Sequence, residues 1–300
     1  MITLSEILGE FAEQYKAIVN QVRSPRNVPD TVYHYTSANG LNAILSSETL
    51  WFTRRDCLND PTEHQHIHDV IKLCLSGFKA DKAFKRHLKS LNEQLLSMKN
   101  PNSWFTLDKN VYIASFSTNG DSIPMWMNYT KSSHYDGYSI GFDARMLKEK
   151  DSVICISPVL YDFKSKEKIV NQFLDLLHVI WKQKKDSSDE LNNIKNKIKM
   201  ASMLFTSEVG CFFKHPDYEY EKEARIILRI KSKDKRIKIR TSNGFLIPYV
   251  PLPFEKKMIK SVTSSPTLNE GIASVGIQAA AERYGYHINV YHSNRPLRNI

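Results

Sequence analysis

The chain has 300 residues, 41% hydrophobic and 11% aromatic, enough to bury a full core and far from the composition of a disordered segment. A formal charge of +10 and a pI near 9.2 fit a polyanionic partner, either nucleic acid or an acidic protein such as an antitoxin. No apolar run approaches the roughly 20 residues that cross a bilayer. The opening "MITLSEILGEFAEQYK" lacks a basic start and a small-residue cleavage site, so a cytoplasmic protein without a membrane partner is expected.

Leu4, Ile7, Leu8, Phe11, Tyr15, Ile18, Val19 and Val22 recur at helical spacing, with Thr3 and Glu6 spaced as a capping box, which predicts an amphipathic helix over residues 3–22. Pro25 and Pro29 break it, and residues 1–28 read as a separate N-terminal element ahead of a domain spanning 29–300. "TVYHYT" is β-branched and aromatic and reads as a strand, "GLNAILSS" as a short helix and "LWFTRR" as a second strand. A helical insertion follows at about 60–100, opened by Asp60 as N-cap and Pro61 as first helical residue.

"NVYIASFST" is a strand, "SIPMWMNYT" one or two helical turns, and "GYSIGFD" and "SVICISPVLYD" are further strands. Residues 164–213 read as a second helical insertion of two helices. Strands are then expected at "EARIILRIK", "KRIKIRT", "FLIPYV", "IKSVTSS" and "HINVYHS", with a helix "LNEGIASVGIQAAAERYG" ended by Gly285. Nothing repeats and no low-complexity linker divides the chain. The fold class expected is α+β, one domain with two helical insertions.

Three clusters could carry chemistry. His34, Tyr35 and Thr36 end the first strand just before a helix, where an imidazole, a ring and a hydroxyl can hold a nucleotide. Ser115 and Ser117 alternate on one strand face, and Trp126 and Tyr129 lie one turn apart on the next helix. Glu221 and Glu223 alternate as the chain enters an apolar strand, a place that disfavours carboxylates. Each also has an ordinary structural reading: a satisfied histidine, core aromatics, and a surface charge ladder of the glutamates with Lys222 and Arg225.

Weaker signals complete the inventory. His64 and His68 stand at i, i+4 but lack the glutamate of a zincin in H-E-x-x-H order, so no metal is expected. Cys57, Cys74, Cys155 and Cys211 are far apart in apolar contexts and read as buried free thiols. "KSKDKRIKIR" reads as a basic ribbon with Ile237 and Ile239 facing in and Arg236, Lys238 and Arg240 facing out towards phosphates. Edge strands also carry lysine simply to block aggregation.

The order of "YHYTS", "LNDPTE", "YIASFS", "MWMNY", "GYSIGFD", "YEYEKEARI" and "INVYHSNRPLR" resembles the ADP-ribosyltransferase superfamily, and more closely a bacterial family known only as a domain of unknown function, over roughly residues 30–298. The resemblance implies an ADP-ribosyltransferase-like mixed or antiparallel β core and NAD as substrate. In it His34 would bind ribose with Thr36 in support, Tyr129 or Trp126 would stack on nicotinamide, and Ser115 and Ser117 would fix the pocket strand. Glu223 would be the catalytic glutamate and Glu221 would help activate the acceptor. Tyr35 replaces the superfamily's usual glycine after the strand histidine, a departure in how the backbone meets NAD. No role for Asn59, Asp60 and Glu63 follows beyond a helix cap. The activity implied is transfer of ADP-ribose to nucleic acid, RNA before DNA, by a bacterial toxin or phage-defence effector. An NAD hydrolase, a protein-directed transferase, a non-catalytic binding module and a metal-dependent nuclease are the rivals.

Overall fold

The computed structural model describes residues 4, 8–23, 28–60, 62–97, 111–130, 136–146, 153–183, 188–242 and 244–297, with the main chain alone at 153–155 and 188. In chain order the elements are α1 (Ala12–Val22), β1 (Thr31–Thr36), α2 (Ala38–Ser47), β2 (Thr49–Arg54), α3 (Glu63–Gly77), α4 (Lys82–Ser97), β3 (Val111–Ser117), α5 (Ile123–Tyr129), β4 (Tyr138–Asp143), β5 (Val153–Pro158), α6 (Phe163–Lys182), α7 (Ser188–Val209), β6 (Glu223–Arg229), β7 (Lys238–Ser242), β8 (Phe245–Pro253), β9 (Ile259–Ser264), α8 (Glu270–Tyr284) and β10 (Asn289–His292). The fold is α+β. Thr3, Glu6 and Pro61 lie outside the described residues, as does the Cys155 side chain.

These elements fall into two compact units. The first gathers Met1–Ser24, Leu58–Lys109 and Leu160–Pro216, and so holds α1, α3, α4, α6 and α7. The N-terminal helix therefore packs with the two insertions rather than standing apart at residue 28. The helix expected to open at Asp60 has Thr62 at its N-cap, while Asp60 Oδ1 accepts from the Thr62 N–H at 2.8 Å and from its hydroxyl at 2.7 Å. Apolar stripes close this unit: the rings of Phe173 and Phe205 stack at 3.9 Å with an interplanar angle of 4°, and Tyr15 meets Phe173 edge-on. Cys74 and Cys211 are buried here, and burial pushes the Cys74 thiol up to about 11.

One polar node sits in this apolar unit. Lys166 is 1% exposed, and its ammonium donates to the carbonyls of Tyr161 (2.7 Å) and Lys214 (2.6 Å) and to His66 Nε2 (2.9 Å). Those contacts tie α6 and α3 to the chain just beyond the parallel bridge between Leu160 and Phe213. Burial lowers Lys166 to about 8 against an ordinary 10.5. Burial, then the charges of Lys166 and His215, lower His66 to about 4 against 6.5. In both windows the unfolded chain binds more protons than the folded one, so stability rises with pH from about 4 to 6.5 and again from about 8 to 10.5. Urea midpoints followed by helical circular dichroism are expected to show both rises. The lower one should flatten in His66→Asn and the upper one in Lys166→Met; identical pH profiles for wild type and variants would refute the assignment.

The second unit holds Pro25–Cys57, Asn110–Val159 and Asp217–Ile300, and with them β1 to β10 of the described residues, α2, α5 and α8. The sheet runs β10-β9-β4-β1-β3-β2-β8-β7, with β6 paired to β3 and β5 paired to β6. Every pairing is antiparallel except β9 with β10. Val32, Phe52, Ala114, Phe116, Ile140, Phe142, Ala224, Ile226, Val250 and Val262 project from one face into a single apolar core that α2 and α8 complete with Leu41, Leu45 and Ile277.

Local sequence explains the junctions. Ser37 caps α2 by accepting from the Gly40 N–H at 3.2 Å, and a Cβ at Gly40 would collide with the Thr36 hydroxyl. Gly285 ends α8 at φ 72°, the left-handed conformation glycine adopts without penalty.

Candidate functional site

Residues opposite each other in antiparallel strands project from the same face. Tyr33 of β1 stands opposite Ser117 of β3, and Ser117 opposite Glu223 of β6, which makes one row across three strands. A second row joins Ser115 of β3, Arg225 of β6 and Ser157 of β5. Both rows lie on the face away from the apolar core, so the second unit carries a buried polar cluster on the back of its sheet.

Glu223 and Arg225 are 5% and 1% exposed. Being two residues apart on one strand they share a face, and the guanidinium grips the carboxylate through Nε–Oε1 at 2.7 Å and Nη2–Oε2 at 2.8 Å. Glu221 arrives differently. It ends the 3-10 turn Pro216–Glu221, and Lys222 then takes φ 44°, so the chain swings through a left-handed residue before β6 begins. Ser117 donates to the Glu221 carbonyl at 2.7 Å, and the Tyr129 hydroxyl donates to Glu221 Oε1 at 2.7 Å. Burial, followed by the negative charges of Glu221 and Glu223, pushes the Tyr129 phenol far above its ordinary range, which keeps it a donor.

A shell of aromatic and polar groups fixes α5 over β1. Tyr35 donates to the Asn119 carbonyl (2.9 Å), accepts from the Ser122 N–H (3.1 Å) and meets Trp126 edge-on at 4.8 Å. Burial raises the Tyr35 phenol. Trp126 Nε1 donates to Asp121 Oδ1 at 2.9 Å, and Asp121 also takes the Ser293 hydroxyl at 2.6 Å and Arg295 Nε at 3.3 Å. The Tyr33 ring lies against Gly120, where a Cβ would not fit.

Three expectations are corrected. His34 and Thr36 have the opposite phase to Tyr33 and Tyr35: the His34 ring packs edge-on against Phe116 of the apolar core at 5.9 Å, and Thr36 lies under α2. The His34 Nδ1 lies 3.1 Å from the Ser115 carbonyl, which requires Nδ1–H as donor, and burial lowers the imidazole so that it stays neutral. It satisfies a main-chain acceptor on the far side of the sheet from Glu223.

Trp126 is fully buried with both ring and N–H engaged, so it builds the core under α5 instead of offering a face to a ligand. The basic ribbon keeps the expected alternation but not the expected burial or freedom. Ile239 is 58% exposed at the sheet edge, Arg236 is folded back onto Asp234 at 3.0 and 2.8 Å, and Arg240 lies over the Trp51 ring at 5.7 Å. The Arg236 guanidinium holds Asp234 down at about 2. Lys238 is exposed.

The structure thus brings together Glu221, Glu223, Ser115, Ser117, Tyr35, Trp126 and Tyr129, and leaves out His34 and Thr36. Tyr33 and Arg225 were missed. For Arg225 the signal was period two, since residue 225 follows 223 on the same face; the face of Tyr33 is set by its pairing with Ser117, which the sequence does not show. Asn59, Asp60 and Glu63 belong to the first unit. The His64 and His68 rings meet edge-on at 5.3 Å, and His68 Nδ1 is 2.8 Å from Asn92 Oδ1. Among the described residues no three His, Cys, Asp or Glu side chains gather as a metal site, and no helix is long and apolar enough to cross a membrane.

No curated protein and no solved structure matches the chain. Residues 125–226, from α5 into β6, match the model of a family described as a protein of unknown function (DUF2971), a stretch that takes in Trp126, Tyr129, Glu221, Glu223 and Arg225.

Proposed function

We propose that the second unit is an NAD-dependent ADP-ribosyltransferase acting on nucleic acid, RNA before DNA, as a bacterial toxin or defence effector, with Glu221 and Glu223 as its acidic centre. The observation that carries this is the placement of two buried carboxylates at the mouth of β6, beside the serine-bearing strand β3 and on the same face as Tyr33. The basic charge of the chain supports a polyanionic acceptor.

In this reading the glycosidic C–N bond of NAD breaks and nicotinamide leaves with the bonding electrons. Glu223, gripped by Arg225, faces the positive ribosyl carbon. An acceptor hydroxyl forms the new bond at that carbon and gives its proton to Glu221. Ser115, Ser117 and Tyr33 replace His34 as the groups on hand for ribose hydroxyls.

A non-catalytic binding module is the second reading. What favours it is that both oxygens of Glu223 are already engaged by Arg225.

The test is labelled NAD with total RNA, DNA or cell lysate, read for label on polymer and for free nicotinamide. Wild type is expected to label RNA, and Glu223→Gln and Glu221→Gln to fall by about 10²–10³. Nicotinamide release without labelled polymer would reassign the centre to NAD hydrolysis. No release by wild type, or equal release by folded variants, would leave the binding module.

A further inference from the structure

The registers carry the same sheet face outward from the acidic centre. Thr53 of β2 stands opposite Ile113 of β3, and Thr53 also opposite Tyr249 of β8, which in turn stands opposite Lys238 of β7. By period two, Trp51, Phe245 and Arg240 share that face. Trp51 is 41% and Phe245 69% exposed, and the Trp51 and Tyr249 rings lie 4.5 Å apart at 38°. The Arg240 guanidinium sits above Trp51 and reaches Thr53 Oγ1 at 3.3 Å.

An open face with aromatic rings and cations beside them has the chemistry of an interaction site for something flat and anionic. Rings alone would suit many partners. The cations of β7 and the turn before it select a polyanion, and rings exposed side by side select one whose bases are unstacked. A duplex hides its base faces and would meet only the cations.

We propose that this face of β2, β8 and β7 is a docking platform for single-stranded nucleic acid, with Trp51, Tyr249 and Phe245 stacking on bases, Lys238 contacting phosphate and Arg240 positioning the Trp51 ring. The inference deepens the nucleic-acid acceptor reading and rests on it for the identity of the polymer. It adds that the polymer is single-stranded and that it lies on the same sheet face as Glu223.

The experiment is fluorescence anisotropy of a labelled single-stranded RNA of about 16 nucleotides, and of its duplex, with the full chain and no NAD present. The single strand is expected to bind more tightly than the duplex. Trp51→Leu, which keeps apolar burial but removes the stacking ring, is expected to weaken binding about tenfold or more, and Trp51→Phe to retain most of it. Lys238→Ala should lower the slope of log affinity against log salt by about 0.7, one phosphate's worth on a single strand.

Glu223→Gln should bind as wild type, and nicotinamide release measured separately reports on the acidic centre, so the two readings fail independently. Equal affinity of folded Trp51→Leu and wild type would overturn the platform, as would equal binding of duplex and single strand. So would a wild-type dimer in light scattering that Trp51→Leu converts to monomer without affecting RNA binding, because the face would then be a self-association surface.

Discussion

Arg225→Ala is expected to cost about 3–5 kcal/mol of the stability of the second unit, because it removes the bidentate cation from the Glu223 carboxylate in a site only 5% exposed. The pair is bidentate, and it sits on a strand flanked by β3 on one side and β5 on the other, where water cannot replace the guanidinium. Glu223→Gln should cost less, since an amide still accepts from Arg225. The informative variant is the double replacement Glu223→Leu with Arg225→Met, which removes both charges at similar volume. It should recover most of the stability lost in Arg225→Ala, because much of that loss is the penalty of a buried carboxylate without its guanidinium. Urea midpoints of wild type, Glu223→Leu, Arg225→Met and the double variant give the four corners of the cycle.

The cycle bears on function. A pair kept only for structure can be exchanged for apolar side chains, and the folded double variant would then behave as wild type in the NAD assay. If the double variant folds as well as wild type yet releases no nicotinamide, the charges serve chemistry. If Arg225→Ala melts within about 1 kcal/mol of wild type, the burial argument itself is wrong.

Much of the architecture was legible in the sequence because the signals were local. "TVYHYT", "GLNAILSS" and "LWFTRR" became β1, α2 and β2 almost to the residue, since a β-branched run, a serine cap and a glycine each act on their neighbours. The phase of β1 was not legible. Both of its faces carry aromatic and polar residues, so Val32-His34-Thr36 and Tyr33-Tyr35 are equally plausible core faces until the partners of β3 are known. The reach of Glu221 was hidden for another reason: a left-handed Lys222 breaks the strand period, and no composition signal marks a non-glycine residue at positive φ.

The basic ribbon shows a limit of a different kind. Alternation correctly separated residues 237 and 239 from 236, 238 and 240, but the inward side of an edge strand is inward only where the core reaches it. Ile237 packs against the core and Ile239 does not. What period two could not reveal was the aromatic company of Arg240, because Trp51 lies nearly two hundred residues earlier in the chain and meets it only through β8.

Trp126→Ala is expected to destabilise the second unit by about 3–5 kcal/mol in the absence of any ligand, the cost of emptying a large buried aromatic site. Trp126 is 0% exposed, packs on Tyr35 and Met125, and donates its indole N–H to Asp121, the residue that also holds Ser293 and Arg295. Trp126→Phe should cost less, since it keeps an apolar ring and leaves Asp121, whose side chain is 33% exposed, open to water in place of the indole. Tyr129 stands one turn further along α5 with its hydroxyl on Glu221, so slack under the helix transmits to the acidic centre. On the proposed NAD-cleaving activity, the alanine variant should therefore lose nicotinamide release together with stability, and the phenylalanine variant should keep both in large part. A ring that stacked on nicotinamide would give the reverse pattern, with NAD affinity falling in Trp126→Ala while the thermal midpoint without NAD stays put. Melting curves of the three proteins with and without NAD decide between a structural and a ligand-binding role for this side chain.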